Sequence, residues 1–183
     1  MNATSNLRTY FSFPLLSMIA MLYGCGAAHV RTEVASSDLH QYDNIYISDV
    51  RVYSLEESAK DNTELQAKMD EWEVFARREL EAYVDESHYQ LVEEILPNTP
   101  KLLVVDLDIN LAYGNRALRW AVGFGAGKGS VDSILVVTDS KTGEEKFRAV
   151  AESDLAMGGG GGDMQAVLKA NIEKLIDQYP EAP

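Results

Sequence analysis

The chain has 183 residues, 46% of them apolar, which is enough for one domain with a buried core. Its formal charge of −13, from 29 acidic against 16 basic residues, is repelled by phosphate backbones and argues against nucleic acid as a partner. Cys25 is the only cysteine, so no disulfide can form within the chain and stability must come from packing.

Residues 1–24 have the layout of an export signal: a polar start with Arg8 and no acid, an apolar run over residues 10–22, then small residues. The run falls short of the roughly 20 apolar residues needed to cross a bilayer, and Ser12, Pro14 and Ser17 interrupt it. Leu22, Tyr23, Gly24 and Cys25 resemble the bacterial lipobox. The resemblance implies cleavage between Gly24 and Cys25, a diacylglycerol on the Cys25 thiol and an acylated new amino terminus. Two or three chains, at about 0.8 kcal/mol per buried CH₂, would hold the protein on a membrane. Gly26 stands where an Asp retains such proteins in the inner membrane, which points to the outer membrane, facing the periplasm.

Residues 26–40 are small, polar and unpatterned and read as a flexible leash, with a single folded domain over 42–179. The first expected strand spans 44–53. Its apolar residues alternate as Ile45 and Ile47 and resume out of phase at Val50 and Val52, which predicts a bulge near Ser48 and Asp49. A polar connection over 54–62 leads to a helix over 63–85, with Thr63 and Gln66 at capping-box spacing. Leu65, Met69, Trp72, Ala76, Leu80 and Tyr83 make one apolar stripe along it, and the mixed, acid-rich opposite face suits core packing better than a membrane surface.

Residues 89–96 suit a short strand, ended by Pro97 and Pro100. The strand over 101–113 is the clearest, with Leu103, Val105, Leu107, Ile109 and Leu111 on one face and Asp106, Asp108 and Asn110 on the other. Residues 131–138 and 145–154 form a hairpin about a turn ending at Gly143. After five glycines, 158–162, Asp163 is expected to cap a last helix closed by Pro180. The order predicts an α+β fold with two helices on one face of a four- to five-stranded mixed or antiparallel sheet.

Between strand and hairpin lies the sequence GNRALRWAVGFGAGK, residues 114–128. With the flanking order of elements it resembles a family of small bacterial lipoproteins known as domain of unknown function forty-four ten, over most of residues 42–179. The family lacks an assigned reaction, so the resemblance implies kinship and no activity. The segment gathers Arg116, Arg119 and Lys128 with Trp120 and Phe124 in an otherwise acidic protein, interspersed with small residues that allow close approach. It reads either as a docking segment, against an envelope protein or the membrane interface, or as a connector tucked beneath the sheet.

Catalytic and cofactor motifs are incomplete. Val122 and Gly129 break a P-loop pattern around Gly127 and Lys128, and Lys128 stands where a dinucleotide fingerprint needs its third glycine. Asp106, Asp108 and Asn110 mimic a calcium loop, but Leu111 and Ala117 stand where its turn glycine and closing glutamate belong. His29, His40 and His88 share no metal spacing, and no serine elbow or free thiol nucleophile is present. No cofactor or metal is expected. The expectation is a non-catalytic binding or assembly module, held on a membrane by lipid at Cys25 and meeting an envelope protein through Arg116, Arg119, Trp120, Phe124 and Lys128. An accessory subunit of an envelope transport system is the second reading, by analogy alone.

Overall fold

The computed structural model describes residues 29–112, 129–155 and 164–180. In chain order these form β1 (His29–Ala35), a 3₁₀ turn (Leu39–Gln41), β2 (Asn44–Tyr53), α1 (Glu57–Lys60) and α2 (Thr63–Glu86). Next come β3 (Gln90–Leu91), β4 (Leu102–Ala112), β5 (Gly129–Asp139), β6 (Glu145–Leu155) and α3 (Met164–Asp177). The strands make one sheet in the order β1-β6-β5-β4-β2-β3. β3 and β4 run parallel to β2, and the remaining neighbours are antiparallel. The α+β fold is as expected, with six strands in place of four or five.

The slip in apolar phase along β2 becomes a bulge. The pairing of β2 with β4 jumps between Ile47 and Asp49, so Ile45, Ile47, Val50 and Val52 all reach the same face and all are buried. There they join Leu103, Val105, Leu107, Ile109 and Leu111 of β4, Val131, Leu135 and Val137 of β5, and Phe147, Ala149 and Ala151 of β6. α2 covers β2 and α3 covers β5 and β6, side by side on this face. Met69, Ala76, Leu80 and Val84 of α2 and Met164, Leu168, Ile172 and Leu175 of α3 complete the core. Burial of this kind yields about 25 cal/mol per Å² of apolar surface and is the main term favouring the fold.

Residues 26–40 do not form a leash throughout. β1 lies within that stretch, pairs with β6 from His29 to Ala35, and is followed by the 3₁₀ turn, whose Leu39 is 2% exposed. The ordered domain therefore begins at least as early as His29, not near 42. β1 is an edge strand held largely by its backbone ladder, which tolerates polar side chains and leaves little alternation to read.

Other boundaries shift for local reasons. Asn62, not Thr63, caps α2: its Oδ1 accepts from the Leu65 N–H at 3.1 Å, while Gln66 Nε2 donates to the Ala59 carbonyl. The connection 54–62 contains α1, a single turn that buries Ala59. The strand expected over 89–96 is reduced to the two residues of β3. The hairpin turn forms as expected, with Gly143 at φ +69°, a conformation that favours glycine. Asp163 and the five glycines lie outside the described residues.

Candidate functional site

Cys25, Gly24 and the contact residues Arg116, Arg119, Trp120, Phe124 and Lys128 all lie outside the described residues, but their points of attachment do not. Ala112, the last residue of β4, pairs with Ser130 of β5. Gly129 pairs with Leu155, where β6 ends, and His29, where β1 begins, pairs with Glu152. The chain arriving from Cys25, the basic and aromatic segment 113–128 and the glycine-rich segment 156–163 are thus all attached at one end of the sheet. Four residue steps lead from Cys25 to His29, a reach of at most about 14 Å.

Just inside this end lies a buried polar cluster that the sequence reading did not single out. Asn171 of α3 is fully buried, Nδ2 donates to the Val131 carbonyl at 3.4 Å and to Ser133 Oγ at 3.3 Å, and Ser153 Oγ donates to Asn171 Oδ1. The signal was present: Asn171 falls within the stripe Leu168, Ile172 and Leu175, and Ser133 and Ser153 occupy inward positions of their strands. Unpaired, such groups would be costly in the core; paired with one another they pin α3 in one register over β5 and β6.

The opposite end is closed by a second polar set. The Tyr42 hydroxyl donates to Asp139 Oδ2 at 2.6 Å, and Asp139 Oδ1 accepts from the N–H groups of Lys141 and Thr142. The Tyr42 bond, followed by those turn donors, lowers the Asp139 pKa to about 2. Burial first, then the bond to Asp139 and its charge, pushes Tyr42 up to about 12. Lys146, on the open face yet nearly buried, pairs with Glu144 and Asp38, both at 2.9 Å, and these bonds raise its pKa. Tyr89 and Tyr179 share a hydroxyl contact of 3.2 Å, and burial raises both.

No described helix covers the second face of the sheet. Arg51 grips Asp108 through two bonds of 2.7 and 2.9 Å and lies 3.0 Å from Asp49, and Asn110 Oδ1 accepts from the Leu55 N–H. Asp106 and Asp132 are held above the usual carboxylate range, first by burial and then, for Asp132, by Glu152. Asp106, Asp108 and Asn110 therefore serve the wet side of β4, as their alternation implied. Among the described residues no three His, Cys, Asp or Glu side chains are grouped to hold a metal ion. A cavity of about 30 Å³ under α2 and α3, walled by Ile45, Ile47, Val105, Leu135, Val137 and Tyr179, is apolar and too small for an organic ligand. No described helix is long and apolar enough to cross a membrane.

No protein-family model matches the chain, and no curated protein matches it. Among solved structures, the PelC dodecamer from Paraburkholderia phytofirmans in space group P6 is 12% identical, with a TM-score of 0.51, covering 85% of this chain and all of that one. Its L103M form in space group C2 is 13% identical, with a TM-score of 0.49 and the same coverage. At such identity the likeness to the P6 structure shows a shared fold alone.

Proposed function

We propose that the protein is a non-catalytic module of the bacterial cell envelope, kin to the lipoproteins of domain of unknown function forty-four ten. In this reading it is lipid-anchored at Cys25 on the periplasmic side of the outer membrane and engages an envelope protein through Arg116, Arg119, Trp120, Phe124 and Lys128. The observation that carries the reading is the common end of the sheet. The pairs His29 with Glu152, Ala112 with Ser130 and Gly129 with Leu155 set the arriving chain beside the roots of the basic and aromatic segment. A lipid on Cys25 would hold that segment near the membrane surface, where arginine and tryptophan are the residues that most often anchor contacts.

Two measurements test this. Cells fed an alkyne-tagged fatty acid should label the wild-type chain and not the Cys25→Ala chain, which should also leave the membrane fraction; equal labelling would end the lipid reading. Crosslinking in intact cells should then enrich one envelope protein with the wild type. Replacing Arg116, Arg119 and Trp120 together by Ala should abolish that capture with an unchanged circular dichroism spectrum. Capture that survives the triple change would return the segment to the role of connector.

A further inference from the structure

The two edges of the sheet are unequal. β3 is two residues long, whereas β1 offers seven residues, and among the described residues no strand lies on its outer side. Such an edge presents backbone N–H and C=O groups ready to pair with another strand. The residues at its middle read Arg31, Thr32, Glu33, a sequence in which charge faces opposite charge when it is reflected about Thr32. When two copies of this strand lie antiparallel with Thr32 opposite Thr32, Arg31 faces the partner copy's Glu33. Val30, opposite Ala151, stays on the core face, while the bulge turns Val34, opposite Arg148, to the open face, so the matched stretch is Arg31, Thr32 and Glu33. Directly opposed side chains in such a ladder stand about 5 Å apart, close enough for opposite charges to pair. Arg31 and Glu33 already lie on one side of the strand, 3.0 Å apart, and all the residues of β1 except Val30 and Val34 are exposed.

We propose that β1 is a self-pairing edge through which two copies of this chain join by antiparallel strand addition. Charges on an edge strand ordinarily repel strand partners. Here the mirror order turns the same charges into a selection for a second copy in one register, and a copy slipped by two residues sets like charges against each other. The bulge at Glu33, where pairing with β6 shifts between Thr32 and Val34, twists the edge and keeps the ladder short. Because pairing occupies the long edge of both copies and leaves only β3, the assembly stops at two. The inference needs only the folded chain and stands apart from the lipid reading. The ladder is far smaller than the roughly 1,600 Å² of a standard interface, so a covalent trap is the suitable readout.

The full chain carrying Thr32→Cys, in detergent, is oxidised and run on a non-reducing gel. Controls are the wild type, whose only thiol is Cys25, and a chain with Lys141→Cys in the exposed hairpin turn. A dimer band severalfold above both controls is expected, and a band equal to that of the Lys141→Cys control overturns the proposal. Adding Arg31→Glu or Glu33→Arg to the Thr32→Cys chain should remove the band, since each sets like charges together. An equimolar mixture of the two variants should restore it, because the strands are then complementary again. No recovery on mixing, with both variants folded by circular dichroism, overturns it. Should Arg31→Glu fail to fold through loss of its 2.8 Å pair with Glu152, Glu33→Arg decides alone, and an undiminished band there overturns the pairing.

Discussion

At the end of the sheet where β2 and β4 begin, every connection is tied down. Tyr42 bonds Asp139 and Lys146 bonds Asp38. The Lys101 carbonyl accepts from the N–H groups of Asp43 and Asn44, and Tyr89 meets Tyr179. At the other end, the described bonds are the buried set of Asn171 with its two serines and surface pairs such as Arg31 with Glu152, and the segments 113–128 and 156–163 attached there are glycine-rich in sequence. The bonds at the first end hold its connections in place; in the proposed reading, the segments attached at the other are where substitutions alter contacts without unfolding the protein. In the proposed reading that second end is also the end of the anchor.

The largest effect should come from the closed end. Phe147 is fully buried and meets the Tyr179 ring edge-on at 5.0 Å, so Phe147→Ala should lower unfolding free energy by about 3–5 kcal/mol in urea titration. The triple change at Arg116, Arg119 and Trp120, by comparison, should leave the urea midpoint where it was. A smaller loss, about 1–3 kcal/mol, is expected of Asn171→Ala, which strands Ser133 and Ser153 in the core. Combining Asn171→Leu with Ser133→Ala and Ser153→Ala in one chain should recover much of that loss, because the three side chains then leave no polar group of their own unpaired. A triple variant no more stable than Asn171→Ala would show that packing, not hydrogen bonding, sets the cost at this site.

Acid and alkali separate the two ends further. Tyr42→Phe removes the bond to Asp139 and should cost about 1.5–3 kcal/mol at neutral pH, as for hydrogen bonds to charged groups. Asp139 has a depressed pKa, so its share of stability is present above the ordinary carboxylate value near 3.8 and is lost as pH falls through about 2. Tyr42 has a raised pKa, so its share is present below its ordinary value of 10 and is lost as pH rises through about 12. The gap between wild type and Tyr42→Phe should therefore narrow on both flanks, from about pH 4 to 2 and from about pH 10 to 12. A gap that is constant across both windows would show that the bond does not carry the coupling.

Much of the fold was legible because apolar parity leaves a mark. The bulge in β2, the alternation of β4, the hairpin about Gly143 and the stripes of α2 and α3 all appear in the residues as written. β1 left no such mark, since Arg31, Thr32 and Glu33 face solvent and the strand is held by main-chain pairing. Of the candidate site, the sequence supplied the residue types in segment 114–128 and the thiol at Cys25. It did not show that the chain reaches both from the same end of the sheet, at His29, Ala112 and Gly129, because strand polarity and pairing order are not local properties.

Which residues must leave water, and hence β2, β4, the hairpin of β5 and β6, the two long helices and the face each one buries, follows from the order of amino acids alone, because burial of apolar side chains acts at periods of two and about 3.6 residues. The order β1-β6-β5-β4-β2-β3, the parallel pairing of β2 with β4, and the meeting of Asn171 with Ser133 and Ser153 arise only when the chain is packed in three dimensions. The same holds for Lys101, kept at φ +47° while its carbonyl serves two N–H groups from residues far away in the chain. These features depend on hydrogen-bond partners distant in sequence, and no local pattern of polarity specifies which distant partner a donor will find.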